Sequence, residues 1–162
     1  PLTSNDPPFD PVGNAQGDIF MAKLDKLSGE PVWARSFGDA GFQFPTSISS
    51  DAAGTIVLSG TIHDDPASVG LSFGGATLPP SPPDGPDYRE DFFIAEFTGD
   101  GAHLASQRYG DEFIQEGEAV VRADGRIAAV GDFYFQIYFD GTVGGELNNG
   151  NHRDFFVATF DP

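Results

Sequence analysis

Two clusters of carboxylates are the residues of this chain that could do metal chemistry. Carboxylate oxygens are the ligands that Ca²⁺ prefers, and neither cluster has the spacing of a twelve-residue calcium loop with its closing Glu. The alternative is that these side chains are only solvated. Ca²⁺ is the one cofactor considered, and the first cluster is its candidate site. The first cluster comprises Asp84, Asp87, Glu90 and Asp91, and the second comprises Asp111, Glu112, Glu116 and Glu118.

Aromatic side chains between the regular segments suggest a second kind of site. Trp33 and Tyr109 fall inside strand patterns and are interpreted as packing residues. Tyr134 and Tyr138 fall in a segment between two repeating units, where β scaffolds often carry binding residues. These two tyrosines are the predicted binding residues for a glycan or a protein.

No constellation in the sequence has the pattern of a catalytic site. His63, His103 and His152 lie in unlike parts of the chain, and none belongs to a His-x-x-x-His spacing. The serines form no Gly-x-Ser-x-Gly elbow. We therefore predict that the protein is not an enzyme and that it has no catalytic residues.

The charge and composition of the chain limit the classes of partner that it can bind. Lys and Arg number 8 against 25 Asp and Glu, which gives a net charge of −17, so nucleic acid and anionic membrane surfaces would be repelled. No apolar run approaches the roughly 18 residues of a membrane span, so no membrane insertion is expected. The absence of Cys excludes disulfides, and no signal peptide is recognisable in this chain.

A repeated block of five residues predicts the architecture. The three copies begin 91 − 18 = 73 and 154 − 91 = 63 residues apart. Recurrence of this kind is typical of solenoids, arrays and propellers. We predict one repeat region, 1–162, with units of approximately 18–90 and 91–153 and a partial unit at 154–162. The copies are Asp18-Ile19-Phe20-Met21-Ala22, Asp91-Phe92-Phe93-Ile94-Ala95 and Asp154-Phe155-Phe156-Val157-Ala158.

Glycines and the leading aspartates recur with the block. A ligand role for these aspartates is one interpretation. The other, which we favour, is structural, because an Asp at the start of a strand accepts hydrogen bonds from turn amides. The recurring pairs of glycines are Gly38 with Gly110, Gly54 with Gly125, and Gly60 with Gly131, and the aspartates are Asp18, Asp91 and Asp154.

Each unit contains four short segments with the pattern of strands, so the chain is predicted to be all-β. Four antiparallel strands per unit are typical of a propeller blade, and a β-sandwich is the alternative. The segments 63–90 and 134–153 are predicted to be irregular. Each contains one short additional strand, at 71–75 in the first segment and at 136–139 in the second. In the first unit the predicted strands are 19–24, 31–37, 46–50 and 55–62.

These residues resemble the bacterial β-propeller repeat of the SBBP type. The second unit departs from the pattern, since Ala105 replaces the Trp and Arg122 replaces the turn Asp. The resemblance implies a propeller in an exported or cell-surface bacterial protein. The matching residues are Asp18 to Asp25, Gly29, Trp33, Phe37-Gly38, Asp51 to Gly54 and Gly60.

About two and a half repeats cannot close a ring of four to eight blades. We therefore expect either a fragment of a longer propeller or several copies that complete one ring. The predicted function is a scaffold that binds a protein or a glycan through its loops. The alternatives are a self-assembling structural protein that pairs strands between chains and, less favoured, an enzyme with its site in a central channel.

Overall fold

The computed structural model describes residues 17–80, 90–110, 113–139 and 146–161, and their secondary structure consists of strands and turns. The all-β prediction is confirmed. In chain order the strands are β1 (Ile19–Leu24), β2 (Pro31–Phe37), β3 (Phe42–Ser50), β4 (Ile56–His63), β5 (Glu90–Phe97), β6 (His103–Tyr109), β7 (Gln115–Val121), β8 (Ile127–Tyr138) and β9 (Glu146–Phe160).

The strands form three antiparallel sheets in which neighbours in space are neighbours in sequence. The first sheet is β1-β2, the middle sheet is β3-β4-β5-β6, and the third sheet is β7-β8-β9. The middle sheet has four strands. It takes two strands from each of two sequence units, so the boundaries of the sheets fall inside the units. The described residues form no closed ring.

The two central strands of the middle sheet, β4 and β5, are buried on both faces. Phe93 and Ala95 point into a core shared with Ile19 of the first sheet. Phe92 and Ile94 point the other way, into a core shared with the third sheet. Alternate strand residues face opposite sides, which is why a continuous apolar run suits a strand between two layers. Burying each large side chain contributes roughly 1.5–3 kcal/mol.

Equivalent residues of the sequence repeat occupy equivalent places in the sheets. Ile19 pairs with Phe37 across β1 and β2, and Phe92 pairs with Tyr109 across β5 and β6. A methyl group added at Gly60 would lie 2.8 Å from the ring of Phe93. At Gly131 the same group would lie 2.7 Å from the ring of Phe156. In both places the glycine makes room for the aromatic ring of the neighbouring strand.

One segment predicted to be irregular is largely strand. β8 continues through Tyr138, and β9 begins at Glu146, so the prediction for 134–153 is wrong for these residues. The register shifts between Tyr134 and Gln136, so that Phe135, whose φ is +74°, lies opposite four residues of β9 before pairing resumes between Gln136 and Asn148. In place of the short strand predicted at 71–75, the structure has a single bridge between Leu71 and Leu78.

The connections after β4 and β8 each insert one aromatic ring between two sheets. Phe73 lies 5.1 Å from Phe37 and 5.0 Å from Phe93, measured between ring centroids. Phe139 lies 5.6 Å from Tyr109 and 5.1 Å from Phe156. Tilted rings at these separations pack favourably. The two segments are therefore equivalent parts of the core.

Candidate binding site at the loop end of the sheets

β2, β4, β6 and β8 all end at the same end of the sheets, which we call the loop end. The connections that follow β2, β4, β6 and β8 leave the sheets there, and the connection between β4 and β5 is the longest of them. Short turns close the opposite end, where Gly54 and Gly125 have φ of +90° and +81°. These positive angles favour glycine. The amide of Gly125 still donates to the carbonyl of Arg122 at 3.0 Å, so the turn survives the replacement of Asp by Arg.

A nearly buried ion-pair network connects the middle sheet to the segment after β4. Arg108 donates through Nε to Asp91 and through Nη2 to Asp64 at 2.5 Å, and Nη1 donates to the carbonyl of Pro79 at 2.8 Å. The side chains of Arg108, Asp64 and Asp91 are 9%, 7% and 4% exposed. Burial alone would lower the pKa of Arg108, but the two carboxylates raise it above its usual value. Arg108 therefore stays charged.

The recurring aspartates pack against recurring glycines. A methyl group at Gly38 would overlap the carboxylate of Asp18, and one at Gly110 would overlap that of Asp91. In both places the glycine leaves room for the carboxylate, and the structural role of the aspartates stays a prediction. Asp154 is exposed, and its carboxylate accepts a hydrogen bond from the amide of Phe155 at 2.9 Å.

Five ionisable side chains meet at the loop end, and we call them the charged cluster: His63, Glu90, Glu116, Asp132 and Arg153. Nδ1 of His63 lies 3.9 Å from Oε1 of Glu90. Arg153 donates to Asp132 and, at 2.5 Å, to Glu116. The residues come from the ends of β4, β5 and β7 and from the middle of β8 and β9. Burial and the charge of Glu116 raise the pKa of Glu90 above its usual value.

The predicted Ca²⁺ site is only partly described. Asp84 and Asp87 of the first carboxylate cluster, and Asp111 and Glu112 of the second, lie outside the described residues. Asp91 belongs to the network with Arg108. In the described ranges no group of three or more His, Cys, Asp or Glu is arranged to hold a metal ion. The Ca²⁺ site stays a prediction.

The predicted binding tyrosines lie on β8 and are not neighbours. They are four residues apart along an extended strand, which corresponds to roughly 13 Å. The ring of Tyr134 lies 5.6 Å from that of Phe113, and Phe113 lies 5.0 Å from Phe135. We call Phe113, Tyr134 and Phe135 the aromatic patch. Tyr134 pairs across the sheet with Arg153, so the patch borders the charged cluster.

No protein-family model matches this chain, and no curated protein matches it. The resemblance to SBBP repeats therefore stays a prediction. Within the described ranges, no helix has the length and apolar character needed to cross a membrane. The functional interpretation rests on the geometry of the sheets and of the loop end.

Sequence reasoning missed most of the charged cluster, although one signal was present. Glu90 and Arg153 both precede the recurring Asp, so they occupy equivalent places with opposite charge. Their elements meet at the loop end, where Arg153 lies close enough to Glu90 to act on its pKa. A charge reversal between repeats indicates that the position is not needed for packing.

We expect Glu90→Gln to raise the thermal midpoint at pH 7 and to leave it unchanged near pH 4. The pKa of Glu90 is raised on folding, so the stability that its protonated form contributes is present below the unfolded pKa and is lost as pH rises through the folded pKa. The glutamine side chain is uncharged at every pH, as the protonated form of Glu90 is. Thermal unfolding followed by circular dichroism at both pH values measures the effect.

Glu118→Gln is the matched control, because it removes the same charge from an exposed position on β7. A smaller rise at pH 7 is expected for it. A midpoint of Glu90→Gln below that of the wild type at pH 7 would contradict the assignment.

Proposed function

We propose that the protein is a non-enzymatic scaffold of the β-propeller type that binds a protein or a glycan at its loop end. The observation that carries the proposal is the stacking of three sheets whose longest connection, between β4 and β5, leaves from the loop end. Connections held by a rigid sheet scaffold are the usual places for binding residues. The resemblance to SBBP repeats supports placement of the parent protein outside the bacterial cell or at its surface.

The loop end varies between repeats while the interior is preserved. Phe93 and Phe156 are equivalent and buried, whereas the equivalent residues Glu90 and Arg153 carry opposite charges. A structural role would favour the same residue in each unit. Variation on a repeated framework supports a recognition role for the charged cluster and the aromatic patch.

The chemistry of the patch favours a ligand with a flat apolar face. Tyr134 is partly exposed and has a hydroxyl group, and its amide is fixed by a hydrogen bond to the carbonyl of Ile114 at 2.8 Å. An aromatic face of this kind stacks on a sugar ring, and the neighbouring carboxylates accept hydrogen bonds from its hydroxyl groups. A glycan is therefore the first ligand class to test.

The residues that the structure describes show no His that a carboxylate orients toward a serine. His103 bonds to Ser106 at 3.0 Å near the short turns, and among the described hydrogen bonds no carboxylate orients its ring. A serine is activated by a His that a third group orients. This supports a binding role over catalysis.

A glycan array tests the binding role, with and without Ca²⁺ so that the predicted metal site is tested as well. Tyr134→Ala is expected to abolish binding to every glycan that the wild type retains. Leu27→Ala is the control, since Leu27 is 89% exposed in a turn at the opposite end. If Tyr134→Ala binds as the wild type does, the site does not lie at the aromatic patch.

Exposed apolar faces favour a second candidate function, which is self-assembly. Phe155 and Val157 of the third sheet are 79% and 81% exposed. Their equivalents Phe92 and Ile94 are buried between the middle and third sheets. Phe20 of the first sheet is likewise 56% exposed, although its equivalent in the middle sheet is buried. The occupant that repeats the internal packing is the first sheet of a second copy, stacked head to tail.

We expect light scattering to show a discrete oligomer that the double variant Phe155→Asp, Val157→Asp converts to a 17.2 kDa monomer. Two carboxylates in a face that packs against another sheet would lose their hydration without a partner, which is strongly unfavourable. Leu27→Asp adds a carboxylate at another exposed site and is expected to leave the mass unchanged. A wild type that is monomeric at every concentration would exclude self-assembly.

A further inference from the structure

A cleft opens at each of the two interfaces between the sheets, and the two clefts have equivalent linings. The first cleft, of about 390 Å³, lies between the first and middle sheets, and we call this boundary the first interface. The second cleft, of about 360 Å³, lies between the middle and third sheets. The opening is therefore a recurring feature of the packing. The equivalent lining residues are Met21 with Ile94, Lys23 with Glu96, Trp33 with Ala105, and Ile56 with Ile127.

The first cleft lies at the end of the sheets opposite to the loop end. Its lining includes Gly54 and Gly99, which belong to the short turns after β3 and β5. Met21, Ile48 and Ile56 contribute apolar walls. Sites for small molecules are typically clefts of about 300–1,000 Å³ with mainly apolar walls and a few polar groups. The first cleft fits this description in both volume and lining.

Trp33 and Lys23 form a wall of the first cleft that is attached to the middle sheet. The two residues pair across β1 and β2. Both donate to the carbonyl of Gly99, Nε1 of Trp33 at 3.2 Å and Nζ of Lys23 at 2.8 Å. A methyl group added at Gly101 would lie 3.2 Å from the indole ring. The indole and the ammonium group therefore have defined positions before any ligand binds.

The first cleft has a positive charge that no carboxylate of the described residues neutralises. Among the ion pairs of the described ranges, none includes Lys23 or Arg35. The guanidinium of Arg35 lies beside the cleft, 5.6 Å from the centre of the Trp33 ring. An ammonium group has three N–H donors and the carbonyl of Gly99 takes one, so two remain for a ligand. In a chain with 25 Asp and Glu against 8 Lys and Arg, this local charge favours an anionic ligand.

The second cleft shows that the packing does not require a cation at this place. Glu96 occupies the position of Lys23 there, and it pairs across the sheet with Ala105 as Lys23 pairs with Trp33. The same arrangement of strands therefore forms with the opposite charge. A carboxylate ligand would be repelled by Glu96, so the preference for an anion belongs to the first cleft alone.

We propose that the first cleft binds an aliphatic carboxylate. The tail packs against the apolar walls and the indole of Trp33, and the carboxylate accepts hydrogen bonds from the ammonium group of Lys23. This site is independent of the loop-end site, because its lining residues lie at the opposite end of the sheets.

Titration of the whole chain with sodium octanoate at pH 7, followed by the fluorescence of Trp33, tests the proposal. Trp33 is the only Trp of the chain, so its emission reports directly on the first cleft. A saturable change is expected, and Lys23→Gln is expected to weaken binding about tenfold, or about 1.4 kcal/mol. Lys26→Gln removes the same charge from the exposed turn after β1 and is expected to bind octanoate as the wild type does. Unchanged emission at millimolar octanoate, or equal affinity of the two variants, would overturn the proposal.

Shortening an apolar wall of the first cleft gives a second measurement. Ile48 lines the cleft and is 59% exposed, so Ile48→Ala is expected to fold. The variant is expected to bind octanoate about fivefold more weakly, because the tail loses part of its apolar contact. Leu104→Ala is the control, since Leu104 is 54% exposed on β6 and does not line the cleft. If Ile48→Ala binds octanoate as tightly as Leu104→Ala does, the tail does not lie in this cleft and the proposal is wrong.

Discussion

Arg108→Met is expected to lower the free energy of unfolding by about 3–5 kcal/mol, because it leaves two buried carboxylates without their cation. Asp64 and Asp91 both accept hydrogen bonds from Arg108, and the three side chains are nearly buried. Methionine has a similar length, so the loss comes from the charge and the hydrogen bonds more than from packing. Urea unfolding followed by circular dichroism measures the change.

Arg153→Met is the matched control for Arg108→Met. Arg153 also donates to two carboxylates, Glu116 and Asp132, but its side chain is 56% exposed. Exposed ion pairs of this kind contribute roughly 0–1 kcal/mol. Equal losses for the two variants would contradict the view that burial makes the network of Arg108 important.

Phe73→Ala is expected to lower the free energy of unfolding by about 3–5 kcal/mol, since it removes a ring from a fully packed interface. Phe73 is 2% exposed, and its ring packs against those of Phe37, Phe93 and Phe97. The connection after β4 would lose its main contact with the sheets. The same urea unfolding measurement applies.

Two further variants serve as comparisons for Phe73→Ala. Leu27→Ala is expected to change stability little, because Leu27 is 89% exposed. Phe139→Ala is expected to cost stability for the same reason as Phe73→Ala, since the two rings occupy equivalent places. A loss below about 1 kcal/mol for Phe73→Ala would show that the connection does not hold the first interface together.

The strands and their repetition could be predicted because their signals are local. β1 begins at Ile19 and ends at Leu24, as its alternating pattern predicts. The extension of β8 could not be predicted in this way. Phe135 has a positive φ that aromatic residues rarely adopt, and the register shift at this residue interrupts the alternation on which strand prediction depends.

The site was less predictable than the fold because its contacts join distant residues. Asp64 and Arg108 have no recurring counterpart that would mark them, and their contact depends on the path of the connection after β4. Tyr134 was identified from its place between units, and the structure adds its neighbour Phe113. Sequence patterns indicate where a side chain lies on a strand, but not which side chains meet at the end of several strands.

The boundaries of the sheets fall inside the sequence units, and this has a consequence for how such a chain lengthens. Gly38 follows β2 as Gly110 follows β6, and both pack against the recurring Asp. A tandem duplication of residues 38–109, placed after Tyr109, would therefore add one complete four-stranded sheet, with the native junction Tyr109-Gly110 after it and a junction equivalent to the native Phe37-Gly38 before it. Growth by gene duplication requires no new linker, and the same junction gives the protein engineer a position at which to insert sheets.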